Sequence, residues 1–359
     1  MRARLEDPPS GAILLARMHK TRDTRYDIEG DWVLNLICNY RCGYCISSAP
    51  RDPPLVGKLP PSKVLDFFDS TGKTWMLHLS GGEPFMYPEF VELCSALCTR
   101  HYISINSNLT TRYVAEFSKT IPPDRVTYIH CGVHPEQREL RRAWKPLIRR
   151  LEMLVDAGFA VFASCVMTSE SFHAFESARE MLAKVGVVLV PKVMRGPYQE
   201  RNYPASYSDI ERRRFIQFSE EAERRVRDNV HQPLRNDPTV NPLMDRHFLH
   251  GAPDFRGVLC SAGRDFVTIA PDGNIYVCGN TGRRIGNIFS GTLKMANAPQ
   301  PCRSEWCHYT CVRFSEVDVA AAAALPLAPP TKPLGDRIAG LAEYVHHGIE
   351  NRLIQLTLR

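Results

Sequence analysis

"WVLNLICNYRCGYC", residues 32–45, carries an apolar stretch straight into three cysteines, Cys38, Cys42 and Cys45. Three thiols at spacings of three and two residues read as disulfide partners, a zinc site, or ligands of a metal cluster with one position open. A zinc site needs four N or S ligands, and this loop supplies three thiols and no histidine. An iron–sulfur cubane takes one thiolate per iron, so three thiolates leave one iron free for another ligand.

The stretch also sets a rhythm. Apolar or β-branched runs recur as "WMLHLS" (75–80), "YISIN" (102–106), "RVTYIHCGV" (125–133), "AVFASCVM" (160–167) and "VVLVPKV" (187–193). Helical patterns near 61–70, 88–100, 111–119, 136–157, 171–185 and 207–228 separate or follow them. Strand-then-helix units of this length imply right-handed crossovers and a parallel sheet. Six units are too few for a closed eight-strand barrel. Weighed against an open doubly wound sheet, the expected fold is α/β: a partial (β/α)6 TIM-like barrel. In either geometry the chemistry lies at the carboxyl ends of the strands, where the cysteine trio, "GGEP" (81–84), "NSN" (106–108) and "HPE" (134–136) fall.

Domain boundaries follow from changes in composition. Residues 1–30 form an N-terminal extension, 31–230 the core and 231–254 a polar, Pro-rich linker. Residues 255–320 form a small Cys-rich domain, and 321–359 a Pro-rich linker with a C-terminal helix. The net charge of +6 is scattered, and "ERRRF" (211–215) reads as a solvated helix face, so no nucleic-acid partner is expected. No apolar run approaches the ~18 residues of a membrane helix, and the first residues lack a secretory signal pattern. A cytoplasmic location without membrane attachment is therefore expected, and there twelve cysteines read as metal ligands before disulfides.

C-x3-C-x2-C after the first strand, with "GGEP" about forty residues on, resembles the radical S-adenosylmethionine superfamily. The match spans residues ~30–200. The resemblance implies that Cys38, Cys42 and Cys45 bind a [4Fe–4S] cluster whose fourth iron is chelated by the amino and carboxylate groups of S-adenosylmethionine. Gly81 and Gly82 would let the backbone approach the methionine amino group, with Glu83 as its charge partner. Asn106, Ser107 and Asn108 would contact ribose and carboxylate. Tyr44, with Tyr40, would shield the cluster or meet adenine, or simply pack. One electron would then cleave the sulfonium, and the resulting 5′-deoxyadenosyl radical would abstract hydrogen from substrate.

Cys260, Gly273 and Cys278 form C-x12-G-x4-C, with "GNI" (286–288) downstream. This resembles the SPASM/twitch extensions that carry auxiliary iron–sulfur clusters. Five cysteines suffice for one cluster, expected to be [4Fe–4S], and not for two. Cys260 and Cys278 lead the ligand set. Two of Cys302, Cys307 and Cys311 complete it, Cys307 and Cys311 favoured, with His308 as a substitute; a zinc knuckle is the alternative.

Cys94 and Cys98, spaced i and i+4 in an apolar stripe, read as core. Cys131 and Cys165 lie near strand ends. Either would be a hydrogen donor if it faces the cavity and packing if it faces a helix. His134 is a candidate ligand or proton-transfer group, or a helix-start residue. Lys192, Arg195 and the loop 196–204 fit a hydroxyl- or phosphate-bearing substrate.

The expected reaction is epimerisation of a sugar, aminocyclitol or oligosaccharide antibiotic, with a cysteine thiol returning hydrogen. Dehydrogenation, with the auxiliary cluster accepting an electron, is a second reading. Maturation of a ribosomal peptide is a third; only 37 residues precede Cys38, few for the peptide-recognition domain such relatives often carry. A zinc-binding interaction module is the non-enzymatic alternative. The expected partners are a carbohydrate-like small molecule and an external one-electron donor such as flavodoxin or ferredoxin.

Overall fold

The computed structural model describes residues 25–45, 57–228, 245–246, 249 and 254–304. Six parallel strands stand side by side in chain order. They are β1 (Ile28–Val33), β2 (Trp75–Ser80), β3 (Tyr102–Ser107), β4 (Val126–Gly132), β5 (Val161–Met167) and β6 (Val188–Val193). Sequential order means that every crossover steps in one direction, the winding of a barrel and not of a doubly wound sheet. A flat sheet would set β1 and β6 about 24 Å apart, five spacings of ~4.8 Å. Asp31 on β1 and Lys192 on β6 nonetheless influence each other's ionisation, so the sheet curls into a partial barrel.

The helices are α1 (Pro61–Ser70), α2 (Phe90–Cys98), α3 (Tyr113–Thr120), α4 (Pro135–Leu140), α5 (Trp144–Asp156), α6 (Ser171–Ala183) and α7 (Asp209–Asp228). Their apolar stripes bury Phe68, Leu97, Phe117, Leu151 and Phe175 against Trp75, Leu77, Ile105, Ile129 and Ala163 of the strands in one continuous core. A smaller cluster lies on the other, concave face, where Met76, Tyr128, Phe162 and Val190 meet Ala222 of α7.

Two segments depart from the sequence pattern. The first strand lies four residues earlier than "WVLNLI" suggests, because Glu29 and Asp31 are strand residues on the concave face and break the apolar pattern. The helical pattern at 136–157 is two helices, parted by Arg142 in a left-handed conformation (φ 51°). Pro146, lacking an N–H, belongs in the first turn of α5 and cannot sit inside a longer helix.

After β6 comes a hairpin, β7 (Gly196–Tyr198) with β8 (Arg201–Tyr203). The Cys-rich segment contributes β9 (Leu259–Cys260), β10 (Phe266–Ile269), β11 (Asn274–Tyr276), β12 (Arg284–Asn287), β13 (Thr292–Leu293) and β14 (Gln300–Pro301). Strand β10 pairs in parallel with β1, and β11 to β13 extend from it antiparallel. The core sheet and the Cys-rich segment thus share one ten-stranded sheet. Most of the linker expected at 231–254, the C-terminal helix, Cys307, His308 and Cys311 lie outside the described residues.

Candidate active site

Beyond β1 the chain stays extended and zips onto the GGEP segment. Leu34 N–H donates to Ser80 O (2.9 Å), Gly82 N–H to Asn35 O (2.9 Å) and Glu83 N–H to Ile37 O (2.7 Å). A Cβ on Gly82 would lie 2.3 Å from Ile37 O, and one on Gly81 2.7 Å from Asn35 O. The glycine pair therefore admits the chain's own backbone, the stem of the cysteine loop.

Glu83 is likewise absorbed by the protein. Its side chain is fully buried and accepts from Ser107 Oγ (2.6 Å), Asn108 N–H (2.7 Å) and Phe85 N–H (3.2 Å). It clasps the ends of β2 and β3 and caps the turn Pro84–Met86. Burial pushes its carboxyl up to about 7, against the lowering pull of those hydrogen bonds and of Arg138. Between the ordinary carboxylate pKa and about 7, the folded state holds this proton and the unfolded state does not. Stability should therefore fall as pH rises through that window and level off above it, by roughly 3 kcal/mol. Urea midpoints at a series of pH values check this. Glu83→Gln should remove the slope, while losing stability throughout because its amide N–H2 faces the Asn108 N–H.

Asn108 joins the clasp to the cysteine loop. Its Nδ2 donates to Asn39 Oδ1 (2.9 Å) and lies 3.9 Å from Cys38 Sγ, and Asn39 Nδ2 donates to Thr110 Oγ1 (2.7 Å). Ser107 and Asn108 are thus committed to scaffold bonds, whereas Asn106 is exposed.

Helix α4 closes the other side of the loop. Gln137 accepts from Arg41 N–H (3.3 Å) and donates to Arg41 O (3.2 Å). Arg138 is wholly buried, donates to Val133 O (2.9 Å) and to Asn108 O, and lies 5.2 Å from the Tyr40 ring centroid. His134 precedes α4 with φ 49°. Its Nδ1 is 3.0 Å from Tyr44 Oη and 3.5 Å from Cys42 Sγ. Burial and then Arg138 lower its pKa to about 4.

The donor set of the trio fits an iron–sulfur cluster. Cys38 and Cys42 are half-buried thiols held above their ordinary pKa, Cys42 at about 12, by burial first. Nearby negative charge would raise both further, from Glu83 and Cys45 at Cys38 and from Cys45 and Cys38 at Cys42, a repulsion that a cationic iron–sulfur core would relieve. Zinc holds its ligands at ~2.0–2.3 Å from one point, whereas a cubane spreads its thiolates over separate irons.

Strand parity settles the two strand cysteines. Cys131 and Cys165 are fully buried in the helix-side core, beside Ile129 and Ala163, and burial raises their thiols to about 11 and about 12. Neither faces the cavity, so the hydrogen-donor role considered for both is corrected to packing. Cys165→Ala should leave the product unchanged and cost ~1 kcal/mol for a vacated methyl-sized volume. Product chromatography and thermal unfolding check the two halves of that expectation. Cys94 and Cys98 are core residues, as their spacing indicated.

The concave face carries what the sequence pattern concealed. His78 Nε2 is 2.9 Å from Glu29 Oε2, and its Nδ1 is 2.7 Å from Ser104 Oγ and 3.1 Å from Tyr128 Oη. His130 Nε2 is 2.6 Å from Ser164 Oγ. Asp31 and Lys192 are half-buried on the same face. Burial raises Asp31 and lowers Lys192, while Asp245 and Asp31 counter the fall of the lysine. The visible signal was a polar residue at alternate positions of otherwise apolar strands.

The hairpin β7–β8 leans on the cysteine loop. Tyr198 meets Tyr44 at 5.9 Å between ring centroids, and a Cβ on Gly43 would lie 3.0 Å from the Tyr198 ring. A cleft of about 580 Å³ runs between Gly43 and the hairpin residues 197–202. Arg201 is spent on Glu211 (2.8 and 2.9 Å), so its charge serves the hairpin before any phosphate.

In the Cys-rich segment, β14 pairs with β9 in the register Gln300↔Cys260. Cys302 N–H donates to Val258 O (2.8 Å), which puts Cys260 and Cys302 diagonally on one face of the ladder. Gly273 turns at φ 76°, which a side chain rarely adopts, and a Cβ on Gly286 would lie 2.2 Å from Thr292 O.

The chain is a curled, partial-barrel parallel sheet with a three-cysteine loop at its carboxyl ends, clasped by a glycine–glutamate turn. The profile of the Radical SAM superfamily matches residues 32–182, and the chain carries that superfamily's domain. The mycofactocin maturase MftC of Mycobacterium tuberculosis (strain CDC 1551 / Oshkosh) is 24% identical over 168 residues, 44% of this chain and 42% of the relative. MftC of Mycobacterium ulcerans is 23% identical over 264 residues, 69% and 67% of the two chains. This chain therefore spans less than half of the first relative's length. Among solved structures, Streptococcus suis SuiB bound to S-adenosylmethionine aligns with a TM-score of 0.47 at 13% identity, over 78% of this chain and 67% of that one. SuiB bound to its precursor peptide SuiA gives 0.43 at 12% identity, over 90% and 75%. No helix among the described residues is long and apolar enough to cross a membrane.

Proposed function

We propose that this radical SAM enzyme matures a peptide precursor. The likeness to MftC over 264 residues carries the reading, since those relatives are named maturases. It is preferred to epimerisation of a carbohydrate because that reaction was argued from a thiol in the cavity, and Cys131 and Cys165 are packed on the helix side.

Cys38, Cys42 and Cys45 would hold the cluster, and Asn106 stays available to S-adenosylmethionine. Once bound, cluster and cosubstrate supply one-electron cleavage of the sulfonium and hydrogen abstraction. The protein's part is to orient and enclose. Asn108 and Asn39 fix the near side of the loop and Gln137 and Arg138 the far side, while Tyr198 covers it. Asp31, His78, His130 and Lys192 present charge and hydrogen bonds to the reacting residue of the substrate. Cys260, Cys278 and Cys302, with ligands outside the described residues, would hold one auxiliary cluster, and an external one-electron donor would serve the first.

The test is deuterium transfer. Reduced, reconstituted protein is given S-adenosylmethionine with candidate precursor peptides or aminocyclitols deuterated at carbon. Deuterium in 5′-deoxyadenosine from a peptide supports the proposal; deuterium from the carbohydrate alone refutes it.

A further inference from the structure

Cys42 differs from its partners in its surroundings. The His134 ring is gripped on several sides. It stacks on Tyr44 (centroids 6.1 Å, 20°), meets Tyr40 edge-on (5.8 Å, 88°) and backs onto Gly132, where a Cβ would lie 2.4 Å from Nε2. The grip aims Nδ1 at Cys42 Sγ, 3.5 Å away, with Tyr44 Oη 3.0 Å from the same nitrogen. A histidine backbone at φ 49° is costly, and a proline follows it at the start of α4. Such a conformation persists where the surroundings over-determine it.

We propose that His134 and Tyr44 are positioning residues that donate hydrogen bonds to the Cys42 sulfur and so set the reduction potential of the cluster. The inference rests on the trio holding that cluster. An iron-bound cysteine sulfur has lone pairs and no proton, so the contact can run only from Nδ1–H to sulfur. That fixes the histidine tautomer. The Tyr44 hydroxyl, 3.0 Å from the same nitrogen, would turn its own proton to that sulfur. Both bonds withdraw electron density from the thiolate. They strengthen when the cluster gains an electron and becomes more negative, so they favour the reduced state. That state is the one from which S-adenosylmethionine is cleaved.

The experiment is an EPR-monitored redox titration of the anaerobically reconstituted full chain, following the signal that S-adenosylmethionine perturbs. His134→Phe keeps a flat ring and removes the donor. Its midpoint should fall by a tenfold change in the reduced-to-oxidised ratio, which is 59 mV for one electron. His134→Gln returns an N–H donor and should recover most of the shift, as a merely structural role would not require. Tyr44→Phe should shift the same way by a smaller factor, and it decides the matter should His134→Phe fail to retain iron. Stoichiometric iron with unchanged midpoints in His134→Phe and Tyr44→Phe overturns the inference, as does an equal fall in His134→Phe and His134→Gln. Wild-type chain that takes up no iron would instead refute the cluster reading beneath it.

Discussion

Cys42→Ala should abolish reductive cleavage of S-adenosylmethionine, taking 5′-deoxyadenosine below detection, while the protein stays folded. The asymmetry follows from the loop. Cys42 is one of three thiolates offered to the cluster, so its loss leaves a second iron without a protein ligand. To the fold it gives little: it is half-buried, with contacts to His134 and Tyr44 that are themselves held elsewhere. A stability change within ~1 kcal/mol is expected. Nucleoside chromatography and the far-UV spectrum, read on one preparation, separate loss of chemistry from loss of fold. Cys94→Ala, in the α2 core, should show the reverse, with activity retained and the unfolding midpoint lowered.

Gly82→Ala should cost the fold more than any other one-methyl change in the site. The added Cβ would stand 2.3 Å from Ile37 O, 2.6 Å from Ile37 C and 2.8 Å from Leu36 O. All three atoms are backbone, so no side-chain rotation relieves the clash. The two segments must part, releasing the bonds from Gly82 to Asn35 and from Glu83 to Ile37. Overpacking at ~1–3 kcal/mol and two hydrogen bonds at ~1 kcal/mol each give a loss of roughly 3–5 kcal/mol. Cluster content should fall with it, because the stem of the cysteine loop is the part displaced. Gly43→Ala is the control. There a Cβ meets only the Tyr198 ring, at 3.0 Å, and the hairpin side chain can yield, so a loss under ~1 kcal/mol is expected. Urea unfolding and iron analysis of both variants decide between backbone contact and mere proximity to the cluster.

The βα rhythm, the cysteine trio and the GGEP turn were readable because each leaves a local mark: an apolar run, a fixed spacing, a glycine pair. What stayed hidden depends on which way a strand residue points. One step of parity moves a side chain from the helix layer to the cavity. The pattern that drew attention to Cys131 and Cys165 could not show that Tyr128, His130 and Ser164 occupy the concave side. Glu29 and Asp31 fell outside the expected first strand for the same reason, since a strand facing a polar cavity loses its apolar alternation. Glu83 was legible as important, but its place in the scaffold was not. A carboxylate in a glycine-rich turn invites a cationic ligand, and only the fold reveals Ser107 and Asn108 already at its oxygens. The joining of β10 to β1 is a long-range pairing that no local signal announces.

The most direct test is anaerobic reconstitution of the full chain with iron and sulfide, then reduction in the presence of S-adenosylmethionine. The account predicts a brown protein with acid-labile sulfide, about four irons per cubane, and 5′-deoxyadenosine that disappears when Cys38, Cys42 and Cys45 are replaced. Zinc bound at the trio, with S-adenosylmethionine recovered intact after reduction, would contradict it.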